Sequence, residues 1–170
     1  MDGFGVLAQR GQKTFCRQTL VGGNYGLLNT TNLTPNPDYY ALLLWRKLMG
    51  QGVLNVTDDG TNTNLRAYAH CHGNTKVGDV AVLLMNLSNK TKTKVTLNVG
   101  DASTIKDEYV MSSESISSQR VMLNGKYLET NQDGVIPTIQ GKESVGNVVE
   151  LEPLTYGFYV LKNVKAKGCL

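Results

Sequence analysis

The sequence lacks any apolar run long enough to cross a membrane. A transmembrane helix needs about 20 consecutive apolar residues, and no run in these 170 residues approaches that length. The opening residues Met1, Asp2 and Gly3 also lack the basic start and apolar core of a signal peptide. With 41% hydrophobic and 18% charged residues, the composition predicts a globular rather than a disordered protein.

A strong charge of one sign is also missing. The chain has 17 basic and 14 acidic residues and a net charge of +3. Lys90, Lys92 and Lys94 form the densest basic cluster, and their spacing of two predicts one solvated face of a strand. No aromatic residues that stack on bases accompany them, so we predict no nucleic-acid partner.

Catalytic signatures are scarce as well. There is no Gly-x-Ser-x-Gly motif, no P-loop and no Rossmann glycine pattern. The close acidic groupings are Asp58-Asp59, Asp107-Glu108 and Glu150 with Glu152. Each falls in a predicted turn or strand, where a solvated face is the expected role, so we predict no catalytic residue among them.

Histidines flank a cysteine in the run His70-Cys71-His72, a pattern that suggests a metal site. Along a strand, however, His70 and His72 face one way and Cys71 faces the other. No second cluster of cysteines and histidines completes a ligand set. We therefore predict no metal and no cofactor.

The most informative stretch is a strand, a glycine elbow, a loop and a helix. Alternating polar and β-branched or aromatic residues predict a strand over 14–21, which ends in two glycines. Such a βα junction is where substrate lies in α/β barrels. We propose as ligand contacts Gln18, Gly23, Asn24 and Tyr25, which suit a ligand with hydroxyl and carboxylate groups. A tight turn with a packed tyrosine is the alternative.

Two helices are predicted in this first part of the chain. Residues 1–13 have the pattern of a helix end closed by Gly11. The second helix begins at Asn36-Pro37-Asp38, which supply a cap, a first-turn proline and an acidic residue, and it ends at Gly50. Its apolar stripe needs cover on more than one side, from the rest of the chain or from a part of a barrel that is missing here.

From Gly52 onward the hydrophobic period is two. Strands are predicted near 53–57, 65–71, 79–87, 93–99, 107–112, 119–123, 147–152 and 156–162. Short strands at this spacing indicate an antiparallel β-sandwich. We expect a β-sandwich domain over 52–170 and a separate, incomplete unit over 1–51.

Glycosylation sequons and cysteines point to the secretory pathway. The five sequons begin at Asn29, Asn32, Asn55, Asn86 and Asn89. A bridge between Cys71 and Cys169 would tie the terminal segment to the sandwich, with two free thiols as the alternative, and Cys16 is expected to be a buried free thiol. Sequons without a signal peptide indicate the C-terminal piece of a longer secreted protein.

These residues together resemble a known family. The runs that carry the resemblance are 16–28, 35–40, 44–54, 65–71, 83–88, 121–126 and 154–160, with the terminal Cys169. They closely resemble plant heparanase-like proteins, which are β-glucuronidases of glycoside hydrolase family 79. The resemblance covers essentially the whole chain.

The resemblance implies a (β/α)₈ barrel followed by a β-sandwich, with residues 1–51 as the end of the barrel. It implies retaining hydrolysis by two glutamates, both upstream of this chain, so the chain alone is expected to be inactive. Gln18, Gly23, Asn24 and Tyr25 match substrate contacts, and Cys71 and Cys169 match the family's disulfide.

The implied partners are a glucuronic-acid-containing carbohydrate and the missing N-terminal barrel portion of the same protein. The implied location is extracellular or cell wall, vacuole or lysosome, or membrane-associated. The alternative function is a non-catalytic carbohydrate-binding or interaction module built on the sandwich.

Overall fold

Antiparallel β-strands make up most of the regular structure. A computed structural model describes residues 1–73 and 77–170. Its helices are α1 (Asp2–Gln9) and α2 (Pro37–Leu48), and a 3₁₀ turn (Lys167–Cys169) lies near the C-terminus. Its strands are β1 (Met49–Leu54), β2 (Leu65–His72), β3 (Val80–Asn86), β4 (Thr93–Thr96), β5 (Ile105–Ser112), β6 (Met122–Leu123), β7 (Lys126–Tyr127), β8 (Lys142–Val145), β9 (Val148–Leu151) and β10 (Tyr156–Leu161).

The strands form a large sheet and a small one. The large sheet has the order β1-β2-β3-β10-β5-β6-β7, and β8 also pairs with β5. The small sheet consists of β4 and β9. Every pairing is antiparallel. The predicted antiparallel β architecture is confirmed, whereas the two short strands β7 and β8 had no counterpart in the sequence prediction.

The large sheet is covered on both faces, as its central strand β3 shows. Ala81 and Leu83 belong to a core cluster with Leu44 and Leu48 of α2, whereas Val82 belongs to a second cluster on the other face. The small sheet supplies that second cluster with three buried residues, Val149, Leu151 and the adjoining Leu97. Alternate residues of β3 thus face the helix and the small sheet, which explains its nearly continuous apolar sequence.

Helix α2 begins where the sequence predicted but ends differently. Pro37 occupies the first turn together with Asp38, and these residues favour the start of a helix. The helix ends at Leu48, within two residues of the predicted stop, but it passes directly into β1 at Met49, so Gly50 lies inside a strand and does not cap the helix. A side chain at position 50 would approach the carbonyl oxygen of Cys71 to 2.4 Å, and this close contact explains the glycine.

The predicted strand over 14–21 is absent. These residues have no regular structure, and none of the described residues forms a strand beside them. A strand needs a neighbour to take its backbone hydrogen bonds. The side chains of Phe15, Leu20 and Val21 are about half exposed, and Cys16 is an exposed free thiol rather than the expected buried one.

The disulfide between Cys71 and Cys169 is present. Its Cα atoms are 5.4 Å apart, and it joins residues separated by 98 positions in the chain. The bond ties the C-terminal 3₁₀ turn to β2, and the N–H of Gly78 donates to the carbonyl oxygen of Cys169 at 3.0 Å. The terminal segment is therefore anchored near the end of β2, the second strand of the large sheet.

Strand β1 runs through the expected domain boundary between residues 51 and 52. Its partner is β2, and helix α2 directly before it packs on the sheet through Leu44 and Leu48. The division into two units stays a prediction. Neither helix in the described part of the chain is long and apolar enough to span a membrane.

Candidate functional site

The loop between residue 18 and helix α2 is held by one arginine. The guanidinium of Arg17 donates to the carbonyl oxygens of Gln18 and Tyr25, the latter at 2.7 Å. It also forms an ion pair with Asp38 at 3.0 Å, in the first turn of α2. Arg17 thus joins the beginning of the loop, its middle and the helix that follows it.

Backbone hydrogen bonds fold the loop back on itself. The N–H of Leu27 donates to Thr19 at 2.8 Å, and the N–H of Leu28 donates to Leu20 at 2.9 Å. The turn between them contains Gly22 and Gly23, whose φ angles of 104° and 73° favour glycine. The predicted glycine elbow is therefore a tight turn in the structure.

The amide of Asn36 completes the loop rather than the helix. Asn36 occupies the cap position of α2, but its side chain makes no capping hydrogen bond. Its Nδ2 instead donates to the carbonyl oxygen of Gly26 at 2.7 Å, and its backbone N–H donates to Leu27. The predicted cap position is therefore right, but the side chain connects the loop with the start of the helix and does not cap it.

A cavity of about 250 Å³ lies between this loop and the connection from β5 to β6. Its polar lining consists of Gly23, Asn24, Asn29, Thr30, Asn36 and Gln119, with Leu28 as the apolar contact. The structure therefore brings two of the four predicted contacts, Gly23 and Asn24, into one cavity. Gln119 comes from a distant part of the chain.

The other two predicted contacts lie outside this cavity. Tyr25 is 57% exposed, and a side chain added at Gly23 would approach its ring at 3.1 Å, so the ring lies against that glycine. The side chain of Gln18 is exposed. Sequence reasoning missed Asn36 and Gln119, since only the fold brings Gln119 to the loop.

Nearly the whole chain is similar in sequence to known proteins. No protein-family model matches the chain. The chain is 34% identical to heparanase-like protein 3 of Arabidopsis thaliana, over 99% of this chain and 36% of that protein. It is 40% identical to baicalin-beta-D-glucuronidase of Scutellaria baicalensis, over 86% of this chain and 27% of that protein. By sequence, this chain is similar to heparanase-like proteins over nearly its whole length.

The heparanase-like relatives also include a protein named inactive. Inactive heparanase-2 of Homo sapiens is 31% identical over 99% of this chain and 31% of that protein. The chain thus spans about a third of the length of the curated relatives it matches. Its sequence relatives are named as heparanases, heparanase-like proteins and a β-glucuronidase.

A solved structure shares the fold at low sequence identity. The GH51 alpha-L-arabinofuranosidase of Thermotoga petrophila superposes with a TM-score of 0.57 at 11% identity. The superposition covers 85% of this chain and 33% of that enzyme. The likeness concerns the fold alone.

Most residues of the close acidic groupings have structural partners. Asp107 pairs with Lys162 at 2.8 Å, and Glu108 pairs with the buried Lys106 at 3.2 Å. Glu152 pairs with Lys92 at 2.6 Å, and both side chains are exposed next to the ends of the small sheet's strands. Asp58 and Asp59 accept backbone hydrogen bonds from Gly60 and Thr61 in a turn.

The two histidines bind the junction between α2 and β1. The Nδ1–H of His70 donates to the carbonyl oxygen of Gly50 at 2.6 Å, and the Nδ1–H of His72 donates to that of Leu48 at 2.9 Å. His70 also packs edge-on against Trp45. Burial lowers the pKa of His70, because the charged imidazolium loses its hydration. No group of three or more metal-ligating side chains occurs among the described residues.

The sequons differ sharply in their surroundings. Asn32, Asn55 and Asn89 are exposed, and Asn29 is half-buried. Asn86 is 1% exposed, and its Nδ2 donates to the carbonyl oxygens of Thr91, Leu151 and Glu152. The structure contradicts glycosylation of Asn86, because a glycan on Nδ2 would displace these bonds and the surrounding core.

A second cavity lies between α1 and α2. It has a volume of about 260 Å³ and includes Phe4, Phe15 and Leu42 in its lining. The rings of Phe4 and Phe15 meet edge to face, 4.2 Å apart. Arg17 and Asp38 also line this cavity, so their ion pair lies between an apolar groove and the polar loop.

Proposed function

We propose that this chain is the C-terminal part of a retaining β-glucuronidase or heparanase-like glycoside hydrolase. Its substrates would be glucuronic-acid-containing glycans or glucuronides. The observation that carries the proposal is the identity of 34% to 40% with a heparanase-like protein and a β-glucuronidase. Since the chain spans about a third of these relatives, the activity would belong to a longer protein.

In this proposal the loop between residue 18 and helix α2, here called the glycine loop, binds a sugar. The N–H groups of Gly23 and Asn24 have no hydrogen-bond partner among the residues that the structure describes, and such groups bind carboxylate or hydroxyl oxygens. Gln18 and Tyr25 are exposed beside them and supply an amide and a phenol. The loop would bind the glucuronate or the sugar next to it.

The bond-breaking carboxylates would come from outside this chain. Retaining hydrolysis needs two carboxyl groups about 5 to 5.5 Å apart, one as acid and base and one as nucleophile. Five residues of the close acidic groupings, Asp58, Asp59, Asp107, Glu108 and Glu152, are engaged in the ion pairs and the turn described above. We therefore expect residues of the upstream barrel portion to perform the chemistry.

The exposed apolar surface of residues 1–51 supports the proposal that a further barrel portion covers it. Phe15, Leu20, Val21 and Leu33 are 45% to 57% exposed. The groove between α1 and α2 adds a further apolar opening. In the proposal residues 1–51 are the last part of a (β/α)₈ barrel, residues 52–170 form the β-sandwich domain, and the barrel covers this surface.

We also propose that the parent protein passes through the secretory pathway. The disulfide and the exposed sequons at Asn32, Asn55 and Asn89 support this location. The half-buried Asn29 is the least accessible of the sequons that the structure does not contradict. The proposal covers an extracellular, vacuolar or membrane-associated final compartment.

Hydrolysis of 4-nitrophenyl β-D-glucuronide tests whether the catalytic carboxylates come from the upstream portion and not from this chain. The purified 170-residue chain should release no 4-nitrophenol above the buffer rate, whereas a longer protein with the upstream portion should release it. Replacement of Gln18 or Tyr25 by alanine in the longer protein should raise KM, because each change removes a proposed side-chain contact. Clear turnover by the 170-residue chain alone would overturn the proposal.

A second candidate function is a non-catalytic carbohydrate-binding or interaction module. The similarity to a relative named inactive heparanase-2 favours this candidate. It requires binding of glycans by the longer protein without hydrolysis. Detection of glucuronide hydrolysis by the longer protein would exclude it.

A further inference from the structure

Gln119 lies in the connection between β5 and β6, yet it lines the same cavity as Gly23 and Asn24. We propose that Gln119 is a substrate-binding residue for the uncharged sugar that is joined to the glucuronate. This inference rests on the proposed glycosidase function. It assigns a sugar contact to the β-rich part of the chain, in addition to the contacts of the glycine loop.

The side chains around the cavity suit a neutral sugar. They include the amides of Asn24, Asn29, Asn36 and Gln119, and none of the lining side chains is charged. An amide both donates and accepts hydrogen bonds, as a sugar hydroxyl does. A carboxylate would instead favour a cationic partner, so the cavity fits the neighbouring sugar better than the glucuronate.

Two of these amides are free to bind a ligand. Asn36 uses its Nδ2 on Gly26, and Asn29 uses its Oδ1 on the backbone N–H groups of Thr31 and Asn32. The side chains of Asn24 and Gln119 make no hydrogen bond to any described residue. The free amides therefore come from two separate segments that meet at this cavity.

The backbone on both sides of Gln119 is fixed. The hydroxyl of Ser118 donates to the carbonyl oxygen of Arg120 at 2.8 Å and accepts from its N–H at 3.1 Å. The guanidinium of Arg120 lies 3.9 Å from the centre of the Tyr127 ring and pairs with Glu129. A binding residue on a fixed backbone loses less entropy when the ligand binds.

The size of the cavity limits its occupant to a single ring. Pockets for drug-sized ligands measure about 300 to 1,000 Å³, and this cavity measures about 250 Å³. One hexose ring is therefore the largest unit that we assign to it. The glucuronate would lie outside, toward the exposed Gln18 and Tyr25.

Sugar binding here excludes a glycan on Asn29. The side chain of Asn29 lines the cavity and is half-buried. A glycan on its Nδ2 would occupy the same space as the sugar ring. The inference therefore requires that Asn29 remains unmodified, while the exposed Asn32 is free to carry a glycan.

A titration of the 170-residue chain followed by NMR tests the role of Gln119. The probes are cellobiouronic acid, in which glucuronic acid is joined to glucose, and methyl β-D-glucuronide, which lacks the second ring. Replacement of Gln119 by alanine should weaken cellobiouronic acid binding about 3- to 10-fold, the value of one hydrogen bond. The Kd of methyl β-D-glucuronide should change less than about 2-fold.

Two further variants make the comparison specific. Gln132→Ala removes an exposed glutamine from the turn after β7 and should leave both dissociation constants unchanged. Gln119→Asn keeps the amide on a shorter side chain and should weaken cellobiouronic acid binding less than Gln119→Ala. The dispersion of the amide spectrum verifies that each variant is folded.

The outcomes separate this inference from the proposed function. If Asn24→Ala weakens cellobiouronic acid binding and Gln119→Ala does not, the loop binds sugar without Gln119 and the inference is wrong. If the chain binds neither probe, the cavity is not a sugar site, while the glycosidase proposal still depends on hydrolysis by the longer protein. Peptide mapping that finds Asn29 fully glycosylated in secreted, sugar-binding protein would also overturn the inference.

Discussion

The large sheet and the loop before α2 differ in what holds them together. The central strand β3 has five consecutive buried residues and neighbours on both sides. The loop over 14–35 has no sheet partner, exposes Leu20 and Val21, and depends on Arg17 and a few backbone hydrogen bonds. The sheet is thus stabilised by buried apolar surface and the loop by polar contacts, so the two regions should respond differently to mutation.

Removal of the disulfide should have the largest effect on stability. The double change Cys71→Ser and Cys169→Ser should lower the free energy of unfolding by about 3 to 5 kcal/mol, because the bond closes a long loop in the unfolded chain. Urea denaturation measures this difference. Cys16→Ser, at the exposed thiol of the loop region, is the matched control and should change it by less than about 0.5 kcal/mol. If Cys16→Ser lowered the free energy of unfolding as much as removal of the disulfide, the proposed difference between the two regions would be wrong.

The two neighbouring sequons at Asn86 and Asn89 should behave oppositely. Asn86→Ala should lower the free energy of unfolding by about 2 to 3 kcal/mol, because three carbonyl oxygens lose their donor inside the protein. Asn89→Ala, at an exposed position, should have an effect below about 0.5 kcal/mol. Urea denaturation of both variants measures the difference. A stable protein with a glycan on Asn86 would show that the structure around β3 is wrong.

Loss of the Arg17 contacts should loosen the loop and leave the sheet intact. Arg17→Ala should lower global stability by about 1 kcal/mol or less, since its ion pair with Asp38 is partly exposed. Hydrogen exchange at the amides of Leu27 and Leu28 should accelerate, while exchange at Leu83 should not. Arg10→Ala, at the exposed end of α1, serves as the control. Faster exchange throughout the sheet would mean that the two regions are one cooperative unit.

Acid should destabilise the junction between α2 and β1 through His70, which contacts Gly50 there. Burial lowers the pKa of this imidazole in the folded state, so the unfolded chain takes up its proton at higher pH than the folded chain. The contribution of the neutral His70 to the free energy of unfolding is therefore fully present above the unfolded pKa of about 6.5. It falls as the pH drops below this value, by at most about 1.4 kcal/mol per pH unit.

His70→Gln removes this titration and tests the assignment. Urea denaturation of the wild type and the variant between pH 7.5 and 5 gives the two slopes. The variant should show a smaller loss of stability over this range, although it is less stable at pH 7.5. Parallel slopes for the two proteins would exclude His70 as the source.

The sequence by itself determined the elements whose signals are local. The proline and aspartate at the start of α2 and the apolar residues of β3 and β10 indicated the right structure, because helix starts and continuous apolar strands depend on neighbouring residues in the chain. The resemblance to heparanase-like proteins also identified the pairing of Cys71 with Cys169. The glycine elbow was a local signal too, and it appears as a turn with two positive φ angles.

Only the tertiary structure decided the features that depend on distant residues. The alternating pattern over 14–21 has no neighbouring strand among the described residues and so forms none, and Gly50 lies in a strand because the backbone of Cys71 approaches it. Asn86 has a sequon, but its three carbonyl partners bury its amide. Gln119 reaches the loop only through the fold. A local pattern shows what a segment can do, and its partners in space decide whether it does so.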